Sequence, residues 1–285
     1  MPALIQVTVE ALDDIPLFLE SSGRAAQSAL LNALTLVDPE LSDRLKEGGE
    51  GAPPYSVGRI TVPREVKVGP RGYVVLGRGS EARFFVGVAD DSLTGVLLRA
   101  LRGELELSGG PVRLSPTLLR STSYEDLLTS DPAREISFRT RNPLVLGKVT
   151  GEDYPEGFAE GHRLEFPRWN PWDSPLNPAH LLNLPLRAWA AHAPQDLRVP
   201  GSLIRVLERL EVARVDLRWA RTRLPVGGRW EVVPGYEGEV RLSAGGLDTF
   251  TGSLVAGLAR LAEFTGLGSR TTHGFGSVSV RFLGR

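Results

Sequence analysis

Cysteine is absent from the 285 residues. That removes a disulfide framework, thiolate metal sites and a cysteine nucleophile. Lysine is scarce: three (Lys46, Lys67, Lys148) among 33 basic residues, the rest arginine. Histidine is scarcer in one half, with four in all and none before His162. No run of about 18 apolar residues occurs, so no transmembrane helix is expected. The opening MPALIQVTVEALDD has no basic start and alternates as a strand does, unlike a secretory signal. The expected location is the cytoplasm. What is present is a globular composition, 41% hydrophobic and 24% charged, with length for a large core and about two domains.

The net charge of −1 conceals a gradient. Residues 1–50 carry three basic and nine acidic side chains, residues 201–285 twelve and eight. The C-terminal third is the better face for an anionic partner. Arginine forks onto phosphates and stacks on bases, which suits RNA. A codon bias toward arginine gives the same skew.

Hydrophobic periodicity places the elements. Leu4, Gln6, Thr8 and Glu10 alternate with Ile5, Val7 and Val9 as a strand. A turn is expected at Ser21, Ser22 and Gly23, a helix over 25–37 and a short helix over 41–46. Strands follow over 55–62 and 83–89. A helix over 90–102 is capped by Asp91 or Ser92, and 104–119 is strand-like with a break at Gly109, Gly110 and Pro111. The order β, α, β, β, α, β is the split βαβ unit of the ferredoxin-like fold, which RNA-recognition modules share.

A polar, turn-rich stretch over 121–132 suggests a boundary between domains 1–125 and 126–285. The second half repeats the pattern. Ile136 and Phe138 face one side of a strand, Ser137 and Arg139 the other. An irregular insert spans 149–175. A helix is expected over 178–193 despite Pro185, and a short one over 202–208. Val215, Leu217 and Trp219 alternate with Asp216, Arg218 and Ala220 in a strand that pairs back through Gly227 and Gly228 with 230–243. A helix over 247–264 and a strand over 276–282 close the chain. The predicted class is α+β, with tandem ferredoxin-like, RRM-like βαββαβ domains.

The most distinctive stretch is Gly266-Leu267-Gly268-Ser269-Arg270-Thr271-Thr272-His273-Gly274-Phe275-Gly276. Its glycines permit positive φ and close approach. Successive N–H groups in such a loop can form an anion nest. Arg270 adds a charged fork and Ser269, Thr271 and Thr272 add hydroxyls, which suits a phosphodiester backbone. A plain glycine-rich connection is the competing reading. A dinucleotide fingerprint needs strand, loop, helix, and a P-loop needs a lysine; the order here is helix, loop, strand, with no lysine.

Two such halves, closed by G-x-G-x5-G-x-G before the last strand, resemble the RAMP proteins of CRISPR systems. Within them the chain is most similar to the endoribonucleases that cut CRISPR repeats to make crRNA. The residues that carry the likeness are Gly266, Gly268, Gly274, Phe275 and Gly276 after the helix over 254–264, Ile136-Ser137-Phe138 with Pro143-Leu144, and the run from Leu30 to Ile60. The resemblance implies CRISPR repeat RNA as partner, no cofactor and no metal. It implies attack of a 2′-OH on the adjacent phosphate, leaving a 2′,3′-cyclic phosphate and a 5′-OH. Such a cut needs in-line placement, proton transfer at both oxygens and charge stabilisation.

Many members of that family carry a His after the first helix, in a context like Leu-His-Glu. Here the segment reads Leu45-Lys46-Glu47. Three outcomes follow. Lys46 could stabilise the phosphate and shuttle a proton, His273 could take over from the other half, or the chain could bind crRNA without cutting, as a subunit of a larger effector assembly. Tyr55 is a further candidate donor. Lys46 also suits a helix C-terminus as a plain cation, and His273 suits a simple phosphate or carbonyl contact. Arg214, Arg218, Arg221 and Arg223 form a candidate RNA track, or an ordinary solvated strand face. His180 and His192 lack metal-ligand spacing and read as structural. His162 has no recognisable partner. Trp169 and Trp172 read as anchors of the insert or as platforms for unpaired bases.

Overall fold

The computed structural model describes residues 1–47, 52–69, 72–149, 167–170, 174–226 and 229–284. Most of the predicted insert, with His162 and Trp172, lies outside the described residues, as does the turn at Gly227 and Gly228.

The N-terminal half runs β1 (Ala3–Ala11), β2 (Ile15–Phe18), α1 (Ser22–Val37), α2 (Pro39–Glu47), β3 (Tyr55–Val57), β4 (Tyr73–Leu76), β5 (Glu81–Val88), α3 (Asp91–Ala100), β6 (Gly103–Leu107) and β7 (Gly110–Ser121). Its main sheet has the order β3-β5-β1-β7-β6. The first four of those strands are the second, third, first and fourth of a βαββαβ unit, the ferredoxin-like order. The alternation predicted for β1 is what buries it: Ile5, Val7 and Val9 are fully buried, in one core with Ala26, Ala29, Leu30, Ala33 and Leu34, which recur on α1 at helical spacing.

The C-terminal half runs α4 (Tyr124–Leu128), β8 (Glu135–Thr140), α5 (Pro178–Leu181), α6 (Asn183–His192), α7 (Leu203–Glu208), β9 (Glu211–Val226), β10 (Arg229–Ser243), α8 (Thr249–Thr265) and β11 (Val278–Leu283). The sheet order is β11-β8-β10-β9, the ferredoxin-like order again. All pairings in both sheets are antiparallel. The class is therefore α+β with tandem ferredoxin-like units.

Helix α8 lies at the seam between the halves. It buries Leu254, Val255, Leu258, Leu261 and Ala262 together, and it packs on β11, β5, β3, α4 and α6. A helix apolar on most of its circumference needs such cover on several sides. The Ser56 hydroxyl donates to the Phe264 carbonyl at 2.6 Å. Arg120 of β7 pairs with Glu263 at 2.8 Å. The loop that follows α8 therefore starts from a point fixed by both halves.

Several expectations are corrected. The turn at Ser21–Gly23 is the start of α1, because the Ser22 hydroxyl bonds the Leu19 carbonyl and accepts from Ile60 N–H. The strand over 55–62 stops at Val57, with one further bridge at Thr61. The cap of α3 is Asp90, whose carboxylate accepts from Ser92 N–H. The helix over 178–193 is two helices, with Pro185 in the first turn of the second, where its missing N–H costs nothing. The stretch over 121–132 holds α4, closed by a capping box between Ser123 and Asp126. Ser137 is buried, donating to Glu239 at 2.9 Å. The apolar face expected for β9 is open, with Val215 45% and Trp219 54% exposed.

Among the described residues no helix is long and apolar enough to cross a membrane.

Candidate active site

The loop over 266–276 is shaped by where its glycines sit. Gly266, Gly268, Gly274 and Gly276 all have positive φ, from 65° to 86°, a region that side-chained residues rarely adopt. Arg270 shares it at φ 61° and opens a 3₁₀ turn over Thr271–His273. The loop is fastened to its own half. Ser269 N–H donates to Val145 carbonyl at 2.7 Å, Gly276 N–H to Pro143 carbonyl at 2.9 Å, and Leu267 N–H closes onto Gly276 carbonyl at 2.9 Å. His273 N–H donates to Arg270 carbonyl at 2.9 Å.

These bonds divide the predicted phosphate donors. The amides of Leu267, Ser269, His273 and Gly276 hold the loop's own shape. The Ser269 hydroxyl also donates to Val145, at 3.1 Å, and Thr271 is buried. Thr272, His273 and Arg270 remain partly exposed. The Thr272 hydroxyl lies 3.2 Å from His273 Nδ1. The Arg270 guanidinium is held by Glu231 at 3.1 Å.

The other half meets the loop at α1. Gly23 is in direct contact with the His273–Gly274 backbone: a Cβ placed there would stand 2.5 Å from Gly274 Cα and 2.8 Å from the His273 carbonyl carbon. Arg59 spans the same seam, its guanidinium 5.5 Å from the centre of the Phe275 ring and bonded to the Thr222 hydroxyl at 2.5 Å.

This docking makes a cleft of 620 Å³ whose walls include Lys46, Tyr55, Thr272 and His273. The three side chains proposed from the sequence to carry chemistry, Lys46, Tyr55 and His273, are thus brought together from both halves. Burial, together with the charges of Arg24 and Arg270, pushes the His273 imidazole below its ordinary value, so it is neutral at neutral pH. Burial raises the Tyr55 phenol, so it keeps its proton. Gln27 donates to the Tyr55 oxygen at 3.3 Å, which leaves the phenolic proton to point elsewhere. The Lys46 ammonium sits at the end of α2, 3.0 Å from Asp43 and 3.4 Å from the Thr35 hydroxyl. An exposed pair of that kind is weak, so a phosphate can replace the carboxylate as partner.

Sequence reading missed Gln27, Arg24 and Arg44. Arg44 lines the cleft. Gln27 lies one helical turn after Gly23, on the face of α1 that meets the loop; that spacing was the available signal. His192 also lines the cleft, but its Nε2 is bonded to Ala52 carbonyl at 3.0 Å, and His180 Nε2 to Gly147 carbonyl at 2.8 Å. Trp169 anchors its segment, 4.9 Å from the Tyr236 ring and donating to Ser174 carbonyl at 3.1 Å. Among the described residues no group of three His, Asp or Glu side chains is placed to hold a metal.

The four arginines of β9 do not line this cleft. Strand alternation puts Arg214 and Arg218 on one face and Arg221 and Arg223 on the other, beside Trp219. Arg214 pairs with Asp216 at 3.3 Å, and Arg221 lies 4.1 Å over the Trp219 ring. They do not form a single track.

Two ferredoxin-like units closed by a glycine-rich loop ahead of the last strand are the arrangement that the likeness to RAMP proteins implies. The likeness drawn from the loop is borne out more specifically: residues 157–278 match the family model of the CRISPR-associated endoribonuclease Cas6. Solved structures share the fold over almost the whole chain. A Cas6 product complex is similar at 24% identity with a TM-score of 0.68, covering 99% of this chain and 100% of that one. Cas6 from Thermus thermophilus is similar at 23% identity with a TM-score of 0.62, covering 99% and 98%. A RAMP protein described as binding different RNA substrates is similar at 17% identity with a TM-score of 0.62, covering 98% and 99%. No curated protein matches the chain by sequence.

Proposed function

We propose that this protein binds CRISPR repeat RNA and cuts it without a metal, by attack of a 2′-OH on the adjacent phosphorus. The products are a 2′,3′-cyclic phosphate and a 5′-OH. The observation that carries the reading is the cleft in which Lys46 and Tyr55 of one half face His273 of the other. Neutral His273 takes the proton of the 2′-OH as the O–P bond forms. Tyr55 gives its proton to the 5′-oxygen as the P–O bond breaks. Lys46 offsets the charge that gathers on the phosphate in between. Arg270 and Thr272 hold the flanking backbone. We further propose two domains, supported by a separate sheet on each side, with the boundary expected between 125 and 126 moved ahead of α4, which it would cut, and action in the cytoplasm.

A second reading is a non-catalytic crRNA-binding subunit of a CRISPR effector assembly. It is favoured by the absence of any histidine before His162 and by the ion pair that occupies Lys46.

End-labelled repeat RNA incubated in EDTA separates the two. Cutting that disappears when the 2′-OH at the cut is replaced by hydrogen, and that His273→Ala abolishes, supports the nuclease. Tight binding with no cutting supports the subunit.

A further inference from the structure

A cluster of open aromatic rings lies outside the cleft of His273. Phe18 ends β2, Tyr73 begins β4 and Trp230 lies near the start of β10; they are 43%, 38% and 55% exposed. Phe18 meets Tyr73 at 5.3 Å and Trp230 edge-on at 5.8 Å between ring centres. Rings in edge contact leave ring faces on which a flat group can lie. Cavities of 650 Å³ and 410 Å³ flank this cluster and share Phe18, Ser21 and Trp230. Arg24 and Asn32 wall the larger, Arg223 and Val232 the smaller. Each also has one carboxylate on its wall, Glu106 in the larger and Glu20 in the smaller.

Arg24 connects this place to the cleft. It follows Gly23, which touches the His273–Gly274 backbone, and its charge acts on His273. Arg24 also lines the larger cavity together with Trp230, so a chain whose phosphate Arg24 holds leads from the His273 side into that cavity. Aromatic faces beside arginine forks are the chemistry of single-stranded nucleic acid, since every base has a π-face and every phosphate a charge. Glu106 and Asn32 offer acceptors to the amino and imino hydrogens of a base edge.

We propose that the Phe18–Trp230 cradle holds an unpaired base of the bound RNA, from a nucleotide close to the phosphate that His273 addresses. The proposal rests on the RNA reading above.

The test uses the full chain and repeat RNA made uncleavable by hydrogen in place of the 2′-OH at the cut. 2-Aminopurine is placed at one position at a time. On binding, fluorescence is expected to be quenched by stacking at one position or two adjacent ones. Trp230→Ala and Phe18→Ala remove that quench and weaken binding about ten-fold or more, whereas Trp230→Phe keeps the quench. Both rings are exposed, so circular dichroism is expected to stay unchanged. Tight binding by the wild type with no quench at any position overturns the cradle and leaves the RNA reading standing. So does wild-type affinity in both alanine variants. A dimer that Trp230→Ala dissociates, with RNA affinity unaltered, assigns the rings to a second copy and also overturns it. Failure of the wild type to bind repeat RNA overturns both readings.

Discussion

Gly23→Ala is the sharpest perturbation of the candidate site, because its structural effect follows from distances alone. The residue is the second of α1 and has no positive φ, so alanine suits its backbone. Helix propensity alone stabilises the variant by up to ~1 kcal/mol. The added methyl, however, meets backbone, at 2.5 Å from Gly274 Cα and 2.8 Å from the His273 carbonyl carbon, where ordinary contact begins at 3.4 Å. No rotamer can relieve that, so helix and loop must part by about 1 Å. Overpacking of this kind costs about 1–3 kcal/mol, which exceeds the propensity gain. The expected net loss is up to about 2 kcal/mol, a fall of several degrees in melting temperature for a chain of this size.

The displaced atoms belong to His273 itself. If His273 acts as proposed, a 1 Å error in its position costs about 10²-fold in rate. Single-turnover cleavage in EDTA and a thermal melt measure the two effects. Gly246→Ala is the control: it has ordinary φ and a Cβ there meets nothing within 4 Å, so it is expected to match the wild type. A Gly23→Ala protein that melts and cuts like the wild type would refute the reasoning.

Three further expectations follow from the same geometry. If His273 accepts the 2′-OH proton, His273→Asn loses about 10²- to 10⁴-fold in rate. The acid limb of the wild-type pH–rate profile then lies below the ordinary histidine value of 6.5, because the base must be neutral; a limb above it contradicts the assignment. Glu231→Gln releases the Arg270 fork from an exposed pair worth under about 1 kcal/mol; the melting temperature should hold while repeat RNA binds more tightly and with a steeper salt dependence. Burial lowers His180, His192 and His273 below 6.5, so each contributes stability that is complete above the unfolded value and lost as pH falls from 6.5 toward the lowered folded value. Melting temperature should therefore drop between pH 7 and pH 5, and His192→Asn, which can still donate to Ala52, should flatten the drop; an unchanged slope counts against burial as the cause.

Much of this fold is legible in local pattern. The alternation of Ile5, Val7 and Val9 and the spacing of Ala26, Leu30, Ala33 and Leu34 report one buried face each, which is the information periodicity carries. Two βαββαβ orders then leave few topologies open, and both sheets take the expected one. Elements fail where burial comes from distant residues. β2 and β4 have four residues each and, among the described residues, pair only with one another, too short for a period to register. β9 alternates as a half-buried strand does, yet Val215 and Trp219 stay exposed, with no layer among the described residues over them. The cleft was less legible than the fold. Lys46, Tyr55 and His273 are each visible as candidates, but nothing in their spacing says that 46, 55 and 273 line one cleft; the docking of α1 against the loop brings that about.

The same docking bears on the histidine missing from the N-terminal half. A group that moves a proton has to be near the reacting oxygens, not on a given helix. The glycine-rich loop is fastened by Val145 and Pro143 of its own half and pressed by Gly23 of the other, with Ser56 on Phe264 fixing its origin. A side chain on that loop is therefore as well placed relative to α1 and α2 as one grown on them. The two halves divide the requirements: α2 brings a cation in a weak, replaceable pair, β3 a buried phenol that keeps its proton, and the loop a neutral imidazole. The neutrality of His273 comes in part from Arg24, which belongs to the opposite half. If His273 acts as proposed, its state thus depends on the interface, and loosening that interface should cost activity before it costs either core.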